Sequence, residues 1–339
     1  HSTNFRHISG DALAIALKHN ITLEHINYVQ IHPTTLYSNK PGRRFLISES
    51  VRGEGAILLN KQKERFVNEL LPRDLLTQKV YEQMQKDDTP YVWLSMEPIP
   101  EDAIRSHFPN IYQHCLEEGY DVTKEPIPVV PSQHYFMGGI WVDSEHRTSA
   151  ESLYAAGECA CQYHGANRLG GNSLLGAVYG GKVAAKAIGD LEKTDSVPDF
   201  STYISEQEEA LRKLFASKSR FSAVYIRNEI AKLMNDCLGI TRTQEKLTEG
   251  IESVDYYLHI GDKLMYDPDV SAYVGYSLRP MLLLARGILT SALSRKETRG
   301  AHIRQDFPGR SEEYGCCSIC SYQDGAHHIS YEKEDAQCL

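Results

Sequence analysis

A chain of 339 residues is long enough to bury a sizeable core and to form two or three structural units. Its 36 basic and 45 acidic side chains give a net charge of −9, which argues against nucleic acid or an anionic membrane surface as the main partner. The longest apolar run, residues 281–293, is interrupted by Arg286 and is too short to span a bilayer, so we expect no direct membrane insertion. Eight cysteines without a spaced disulfide framework, and no secretory signal, favour a reducing, cytoplasmic compartment.

The first predicted elements are a helix from Asp11 and a strand in the segment HINYVQI. Residues 33–133 then mix turns with short amphipathic helices, which predicts an irregular α+β lid. From HYFMGGIWVD through SLYAAGECA to HGANRLGGNSLLG, a strand, a glycine turn and a helix rich in small residues follow one another, as in a nucleotide-binding α/β unit. The lid is therefore predicted to be an insertion between two pieces of one α/β domain.

The last third of the chain is predicted to be mainly helical. Amphipathic patterns favour helices over residues 201–220, 221–238, 242–260 and 271–296, joined by short polar turns. Two β-rich arms then flank Asp324 and Gly325, a pair of residues typical of a tight hairpin turn. We therefore expect a helical bundle followed by a β-hairpin tail.

The segment HGANRLGGNSLLG has the composition of a ligand cradle. A helix that begins near Asn172 and Ser173 has unpaired backbone N–H groups at its start, which favour an anion or an electron-rich ring. Upstream, the turn at Gly157 places the Glu158 carboxylate where it could accept hydrogen bonds from ribose or ribityl hydroxyls. These residues and Leu174 are the candidate cofactor contacts. A plain tight turn with an asparagine cap is the alternative.

Seven motifs carry a resemblance to one family. They are HPTTLY, SESVRGEGAILLN, ERFVNELLPRD, HYFMGGI, LYAAGECA, HGANRLGGNSLL and RKETRGAH. The chain resembles the flavoprotein subunits of fumarate reductase and succinate dehydrogenase, and the closely similar L-aspartate oxidase, in which these motifs occur in the same order. The resemblance covers nearly the whole chain, and it implies FAD as cofactor.

The resemblance also implies the domain organisation. The fold class is α/β, with an incomplete Rossmann-like FAD-binding domain (residues 1–32 and 134–192), an inserted α+β capping domain (33–133), a C-terminal helical bundle (193–305) and the hairpin tail (306–339). No G-x-G-x-x-G followed by a helix occurs near His1, so we expect a fragment that enters the family pattern after its dinucleotide-binding segment and retains FAD weakly. Whether FAD is attached covalently stays open.

In the family, a C4 dicarboxylate lies against the flavin under the capping domain, and the matching binding residues here are His32, His134 and Arg168. An arginine fork can bind one carboxylate through two hydrogen bonds, while histidine donors orient the other. Ser48 stands where the family usually has a threonine that donates to the same carboxylate. For the histidines, a hydrogen bond to backbone in a turn is the alternative, and for Arg168, as for Arg73 of the PRD motif, a surface ion pair.

The resemblance assigns proton donation to Arg73, in the PRD motif. Arginine is a poor free acid, so it needs a partner that returns the proton as it leaves. Glu49 and Arg52 are three residues apart and share a face if this stretch is helical, which implies a relay from Arg52 through Glu49 to Arg73. A simple salt bridge is the alternative. The helix after Arg73 is expected to turn Leu75, Leu76, Val80 and Met84 toward the lid core.

Three functions remain open from the sequence. The first is interconversion of fumarate and succinate, with an iron–sulfur subunit or another electron donor as partner, and with the chain in the cytoplasm or held peripherally at the membrane by partner subunits. The second is L-aspartate oxidation to iminoaspartate, favoured by the compact ERFVNELLPRD segment. The third is a non-catalytic assembly segment of the flavoprotein.

A metal site is the remaining alternative, and we expect none. Cys317 and Cys320 followed by His327 and His328 contain zinc-ligand residue types. Alternation along a hairpin would place these four side chains on both faces, which is unfavourable for a shared ion.

Overall fold

The computed structural model describes residues 1–5, 7–40, 42–191, 198–217, 221–260, 264–265, 270 and 272–333. The helices are α1 (Asp11–Lys18), α2 (Glu49–Gly53), α3 (Arg73–Asp87), α4 (Glu101–His107), α5 (Pro109–Glu117), α6 (Asn172–Gly189), α7 (Ser201–Ala216), α8 (Ala223–Leu238), α9 (Gln244–Ile260), α10 (Ala272–Tyr276) and α11 (Leu278–Ser294). The strands are β1 (Leu23–Glu24), β2 (Val29–Leu36), β3 (Ile57–Leu59), β4 (Val92–Ser95), β5 (Ile127–Phe136), β6 (Gly139–Trp141), β7 (Ala160–Cys161), β8 (Phe221–Ser222), β9 (Leu264–Met265), β10 (Cys317–Gln323) and β11 (Ala326–Glu332). Within these ranges, no helix has both the length and the apolarity needed to cross a bilayer.

The chain divides into two compact units. The first comprises His1–Ile8, Val29–Tyr135 and Asn167–Gly170, and the second comprises Ser9–Tyr28, Phe136–Ala166 and Gly171–Leu339. The predicted capping segment, residues 33–133, lies wholly within the first unit. The predicted domain boundaries stay predictions, and the one at residues 192 and 193 falls outside the described residues.

The first unit is built on a four-stranded sheet in the order β2-β5-β4-β3, in which β4 is antiparallel to both of its neighbours. Its core consists of buried aliphatic side chains from the sheet and from the helices packed on it, among them Leu58, Leu94, Val129 and Leu76. Helix α3 packs against β2, where the Thr77 hydroxyl donates to the Ile31 carbonyl at 3.1 Å.

Helix α3 carries Arg73 at its first position. It begins after Pro72, which has the extended backbone of a helix N-cap, and it ends at Asp87, before the C-cap residue Asp88, whose φ of 50° is left-handed. Leu76 and Val80, four residues apart, are fully buried, and Met84 packs against the same core. The expectation for Leu75 is wrong: its side chain is 45% exposed, because it is rotated by about 100° from Leu76 around the helix.

The second unit contains a five-stranded sheet in the order β11-β10-β1-β6-β7, with β6 and β7 parallel and the other pairs antiparallel. Strands β10 and β11 form the predicted hairpin, closed by Asp324 (φ 50°) and Gly325 (φ 77°). Two successive residues with positive φ are the signature of a tight turn whose twist matches that of the strands.

The helical part of the second unit follows the predicted pattern. Helices α7, α8 and α9 occupy three of the four predicted segments, and the fourth is divided at Ser277 into α10 and α11. Residues 218–220 and 271 of the predicted helices lie outside the described residues. The predicted fold class, mixed α/β with a helical C-terminal region, is confirmed.

Candidate active site

Arg73 and Glu49 form an ion pair within the first unit. The Nε and Nη2 atoms of Arg73 lie 2.8 and 2.7 Å from Oε2 of Glu49. Glu49 opens helix α2, a position where the helix dipole favours a carboxylate, and the backbone N–H of Ser50 donates to the Ser48 hydroxyl, which caps the helix. The Arg73 side chain is buried, whereas that of Glu49 is 42% exposed. The pair therefore joins a buried cation to a carboxylate that reaches solvent.

Arg52 does not make the hydrogen bond that the predicted relay requires. Both Arg52 and Glu49 lie on α2, but the Nη1 atom of Arg52 donates to the backbone carbonyl of Glu69 at 2.5 Å, and no hydrogen bond joins Arg52 to Glu49 among the described residues. Burial lowers the pKa of Arg52 to about 10, although the Glu49 charge opposes this shift. The two side chains are thus coupled by charge and not by direct contact.

Two histidines lie next to each other on the sheet of the first unit. His32, on β2, is fully buried, and its ring meets that of His134, on β5, edge to face at a centroid distance of 5.2 Å. Nδ1 of His32 lies 3.0 Å from the carbonyl oxygen and 3.2 Å from the backbone nitrogen of Thr34, so either tautomer has a backbone partner. Its buried Nε2 makes no hydrogen bond to any described residue. That nitrogen is therefore available to a ligand.

Both histidines are neutral near pH 7. Burial is the main cause of the lowered pKa of His32, which falls well below 6.5, and the charge of Arg73 lowers it further. Burial, followed by the charges of Arg73 and Arg168, lowers the pKa of His134 to about 4. Each ring then offers one N–H donor and one acceptor. An anion bound among these arginines would raise both pKa values by offsetting the positive charge.

Arg168 is buried in the first unit, like Arg73. Its guanidinium carbon lies 4.3 Å from the centre of the Tyr135 ring, a cation–π distance. Tyr135 directly follows His134 on β5, so the strand that carries the histidine also supports the arginine. Five predicted site residues, His32, Glu49, Arg73, His134 and Arg168, are thus drawn from separate chain segments into one unit.

Sequence reasoning missed a side-chain network behind Arg73. Gln30 is buried, and its Oε1 accepts from Nη1 of Arg73 at 2.9 Å. Its Nε2 donates to the Asn167 Oδ1 at 2.9 Å and to the Arg168 carbonyl at 2.7 Å, and the Asn167 Nδ2 donates to the Asp74 carboxylate at 2.8 Å. One signal was present in the sequence: Gln30 precedes His32 by two residues, which places both on one face of a strand.

Gly170 lies against the ion pair, where an added Cβ atom would meet the Glu49 carboxylate. A Cβ atom built on Gly170 would lie 2.3 Å from the Glu49 Oε2 and 3.1 Å from the Arg73 Nη2. The first distance is far below an ordinary contact. The glycine of the HGANRLGG motif therefore makes room for the carboxylate that Arg73 binds.

The predicted cofactor contacts lie together in the second unit. Gly157, with φ 79°, opens a short 3-10 turn that packs against α6, and the carboxylate of Glu158 in this turn accepts from the Phe136 backbone N–H at 2.9 Å. Helix α6 begins at Asn172 and includes Ser173, and Leu174 is 72% exposed. Open N–H groups, a carboxylate acceptor and exposed apolar surface suit the polar chain and the ring of a flavin, so these residues fit FAD.

The four tail residues with zinc-ligand chemistry do not form a cluster within the described part of the chain. Those ranges contain one His/Cys/Asp/Glu group with ligand atoms all within 4.8 Å of one another, made by Glu24, His25 and Cys317. It shares only Cys317 with the predicted set.

Two families match the chain. The one described as FAD binding domain matches residues 1–174, which is half of the chain, and the one described as fumarate reductase flavoprotein C-term matches residues 227–339.

Named relatives and a solved structure extend these matches. An L-aspartate oxidase of Clostridium perfringens is 50% identical over 209 residues, which cover 61% of this chain and 46% of that protein. An L-aspartate oxidase of Nostoc is 36% identical, covering 94% of this chain and 59% of that protein. The quinol fumarate reductase FrdA of E. coli has a similar structure, with a TM-score of 0.88 and 28% identity over 98% of this chain and 63% of that one. The chain spans about half the length of the curated relatives it matches.

Proposed function

Because the chain belongs to the fumarate reductase and succinate dehydrogenase flavoprotein family, whose cofactor is FAD, we propose that it forms the dicarboxylate-binding part of a flavin-dependent oxidoreductase. One observation carries this proposal: the Arg73–Glu49 pair, two neutral histidines and Arg168 lie in one unit. Such a cluster offers cations for two carboxylates and a route for a proton, which a flavin reaction on a C4 dicarboxylate requires.

The binding roles follow from the chemistry of each group. Arg168 binds one substrate carboxylate through its planar fork, which the Tyr135 ring supports from one side. His32 and His134, neutral in the absence of ligand, donate N–H groups to the other carboxylate. Ser48 is engaged as the cap of α2 and contributes a hydroxyl near Glu49.

L-aspartate is the first candidate substrate. The motifs alone placed fumarate and succinate first, but relatives that are 50% and 51% identical are named L-aspartate oxidases, whereas the FrdA structure is 28% identical. Oxidation to iminoaspartate removes a hydride equivalent from Cα and a proton from the amino group. FAD, when bound, would accept that hydride equivalent, or supply one in the reverse sense, and in the oxidase O2 would take up the two electrons and two protons as H2O2.

Fumarate reduction is the second candidate, and the Arg73–Glu49 pair supports it because this pair can deliver a proton. In that reaction a hydride adds to one alkene carbon and a proton from an Nη atom of Arg73 adds to its neighbour. Glu49, in contact with Arg73 and partly in solvent, returns the proton to the guanidinium. Arg52 supports Glu49 through its charge. In this reaction an iron–sulfur subunit or another donor would supply electrons.

The test uses the full-length protein with its FAD. Hydrogen peroxide formed from L-aspartate and O2 reports the oxidase, and oxidation of a reduced viologen by fumarate reports the reductase. We expect Arg73→Lys to lower the active reaction by about 100-fold, because a lysine cannot make the paired contacts of a guanidinium. Arg105→Lys is the matched control, since Arg105 pairs with Glu101 at 2.6 Å on the exposed surface of α4. If neither substrate reacts, an assembly role replaces the enzymatic one. If Arg73→Lys keeps full activity, the role proposed for Arg73 is refuted.

A further inference from the structure

A buried amide, Gln30, and a half-buried one, Asn167, connect Arg73 to a second carboxylate. The chain of hydrogen bonds runs from Arg73 to Gln30, from Gln30 to Asn167 and from Asn167 to Asp74, with donor–acceptor distances of 2.9, 2.9 and 2.8 Å. Asp74 is the residue after Arg73 on α3, so the chain returns to the helix start where it began. All four side chains belong to the first unit.

The residues at the two ends, Arg73 and Asp74, determine which group donates in each hydrogen bond between them. An ionised aspartate accepts hydrogen bonds and cannot donate, so Asn167 must present its NH2 group to Asp74 and its oxygen to Gln30. Gln30 must then present its NH2 group to Asn167, which leaves its oxygen for Arg73, a side chain that only donates. If either amide flipped, two NH2 groups or two oxygens would face each other, which is costly because Gln30 is buried and Asn167 is half-buried.

This direction determines how Arg73 is held. Glu49 receives the Nε–H and one N–H of Nη2, and Gln30 receives one N–H of Nη1. Of the five N–H bonds of the guanidinium, one on each terminal nitrogen is left over by these contacts. The same NH2 group of Gln30 also donates to the backbone carbonyl of Arg168, so one amide fixes the side chain of one arginine and the backbone of the other.

We propose that Asp74 and Asn167 are positioning residues that act through Gln30. The carboxylate of Asp74 sets the orientation of both amides and thereby holds the terminal N–H groups of Arg73 in the direction of the substrate. The inference rests on the function proposed above only where it concerns turnover. The donor-to-acceptor direction of these hydrogen bonds, called their polarity below, is a property of the fold.

Moving the carboxylate from position 74 to position 167 tests the inference. In Asn167→Asp, two carboxylates face each other, and we expect kcat to fall by about 100-fold with a smaller change in KM, since a shift of about 1 Å in a catalytic group has this effect. Adding Asp74→Asn restores the pattern, because Asn at 74 can donate to Asp at 167, which still accepts from Gln30. The double variant should recover to within about tenfold of the unaltered enzyme. Asp74→Asn alone should lose less than about tenfold, because the amide oxygen still accepts from Asn167.

Two further readouts separate positioning from general damage. Turnover by Asn167→Asp should rise as the pH is lowered, since a proton shared between the two carboxylates removes their repulsion, and the double variant should not show this rise. Asp102→Asn is the matched control, because Asp102 also lies in the first turn of a helix of this unit, α4, but its carboxylate is outside the amide chain. It should leave kcat and Tm unchanged.

The melting temperature makes the test independent of the reaction. Asn167→Asp should lower the Tm of the full-length protein, and adding Asp74→Asn should raise it again. A double variant that is at least as impaired as Asn167→Asp in both Tm and kcat would overturn the inference. If Tm recovers in the double variant but kcat does not, the inferred polarity of the hydrogen bonds holds and the positioning role is refuted. If the unaltered protein turns over neither substrate, the proposed function fails. The Tm of the double variant then still decides whether the hydrogen bonds have the inferred polarity.

Discussion

Gly170→Ala should separate activity from stability at the Arg73–Glu49 pair. The new methyl carbon would lie 2.3 Å from the Glu49 Oε2, whereas ordinary contacts begin at 3.4 Å, so the carboxylate must withdraw by about 1 Å. The Nη2–Oε2 distance would then grow from 2.7 Å to beyond about 3.5 Å, which is no longer a hydrogen bond. Gly170 has no positive φ, so the alanine backbone itself is not strained there.

The expected result is a large loss of turnover with little loss of stability. Displacement of about 1 Å in a catalytic pair lowers kcat by about 100-fold. The Glu49 side chain is 42% exposed and can rotate into solvent, so the free energy of unfolding should change by less than about 1 kcal/mol. Steady-state kinetics of the full-length enzyme and urea unfolding of the same preparation measure the two quantities.

The matched control for this variant is Gly53→Ala, at the end of helix α2. A Cβ atom on Gly53 has no neighbour within 4 Å, so this variant should keep both kcat and stability. The reasoning is refuted if Gly170→Ala turns over within twofold of the unaltered enzyme. It is also refuted if a structure of the slow variant still shows Glu49 bound to Arg73.

Three further outcomes are expected from other parts of the fold. Burial and two neighbouring arginines lower the pKa of His134 to about 4, so the unfolded chain takes up a proton below pH 6.5 that the folded chain does not, and stability is lost as the pH falls from 6.5 toward 4. Urea unfolding of His134→Gln should therefore depend less steeply on pH in this window, by up to about 1.4 kcal/mol per pH unit. Leu76→Ala should lower the free energy of unfolding by about 3 kcal/mol, whereas Leu75→Ala, at an exposed position of the same helix, should change it by less than about 1 kcal/mol in the same assay. Arg304→Met should cost about 3 kcal/mol in thermal or urea unfolding, because Arg304 donates to carbonyl groups at the end of α11 and binds both oxygens of Asp306.

Local patterns in the sequence predict the element types, and the shared family motifs predict the main ion pair. The helical periodicity of residues 201–294, the Asp-Gly turn of the tail and the short helix that carries Glu49 all depend on neighbours within a few residues. The pairing of Glu49 with Arg73 came from the family motifs and not from spacing. The site is thus predictable where a local rule or a shared motif names both partners.

The remaining contacts depend on partners far away in the chain. Arg52 bonds the carbonyl of Glu69, which no spacing rule indicates, because any backbone carbonyl is an equally good acceptor. Gln30 was visible as a neighbour of His32 on one strand face, but its link to Asn167 requires the tertiary fold. Leu75 is exposed although it is apolar, because adjacent residues of a helix point about 100° apart and do not share a face.

The hydrogen bond between Gln30 and Asn167 forms late in the synthesis of the protein. Gln30 precedes Asn167 by 137 residues, so a nascent polypeptide has completed strand β2 and helix α3 long before it can offer Arg73 a correctly oriented amide. Until Asn167 leaves the ribosome, the glutamine amide lacks the partner that sets its direction. Premature termination between residue 133 and the HGANRLGG segment would therefore yield a product that contains the whole capping segment but lacks the amide that orients Gln30 toward Arg73.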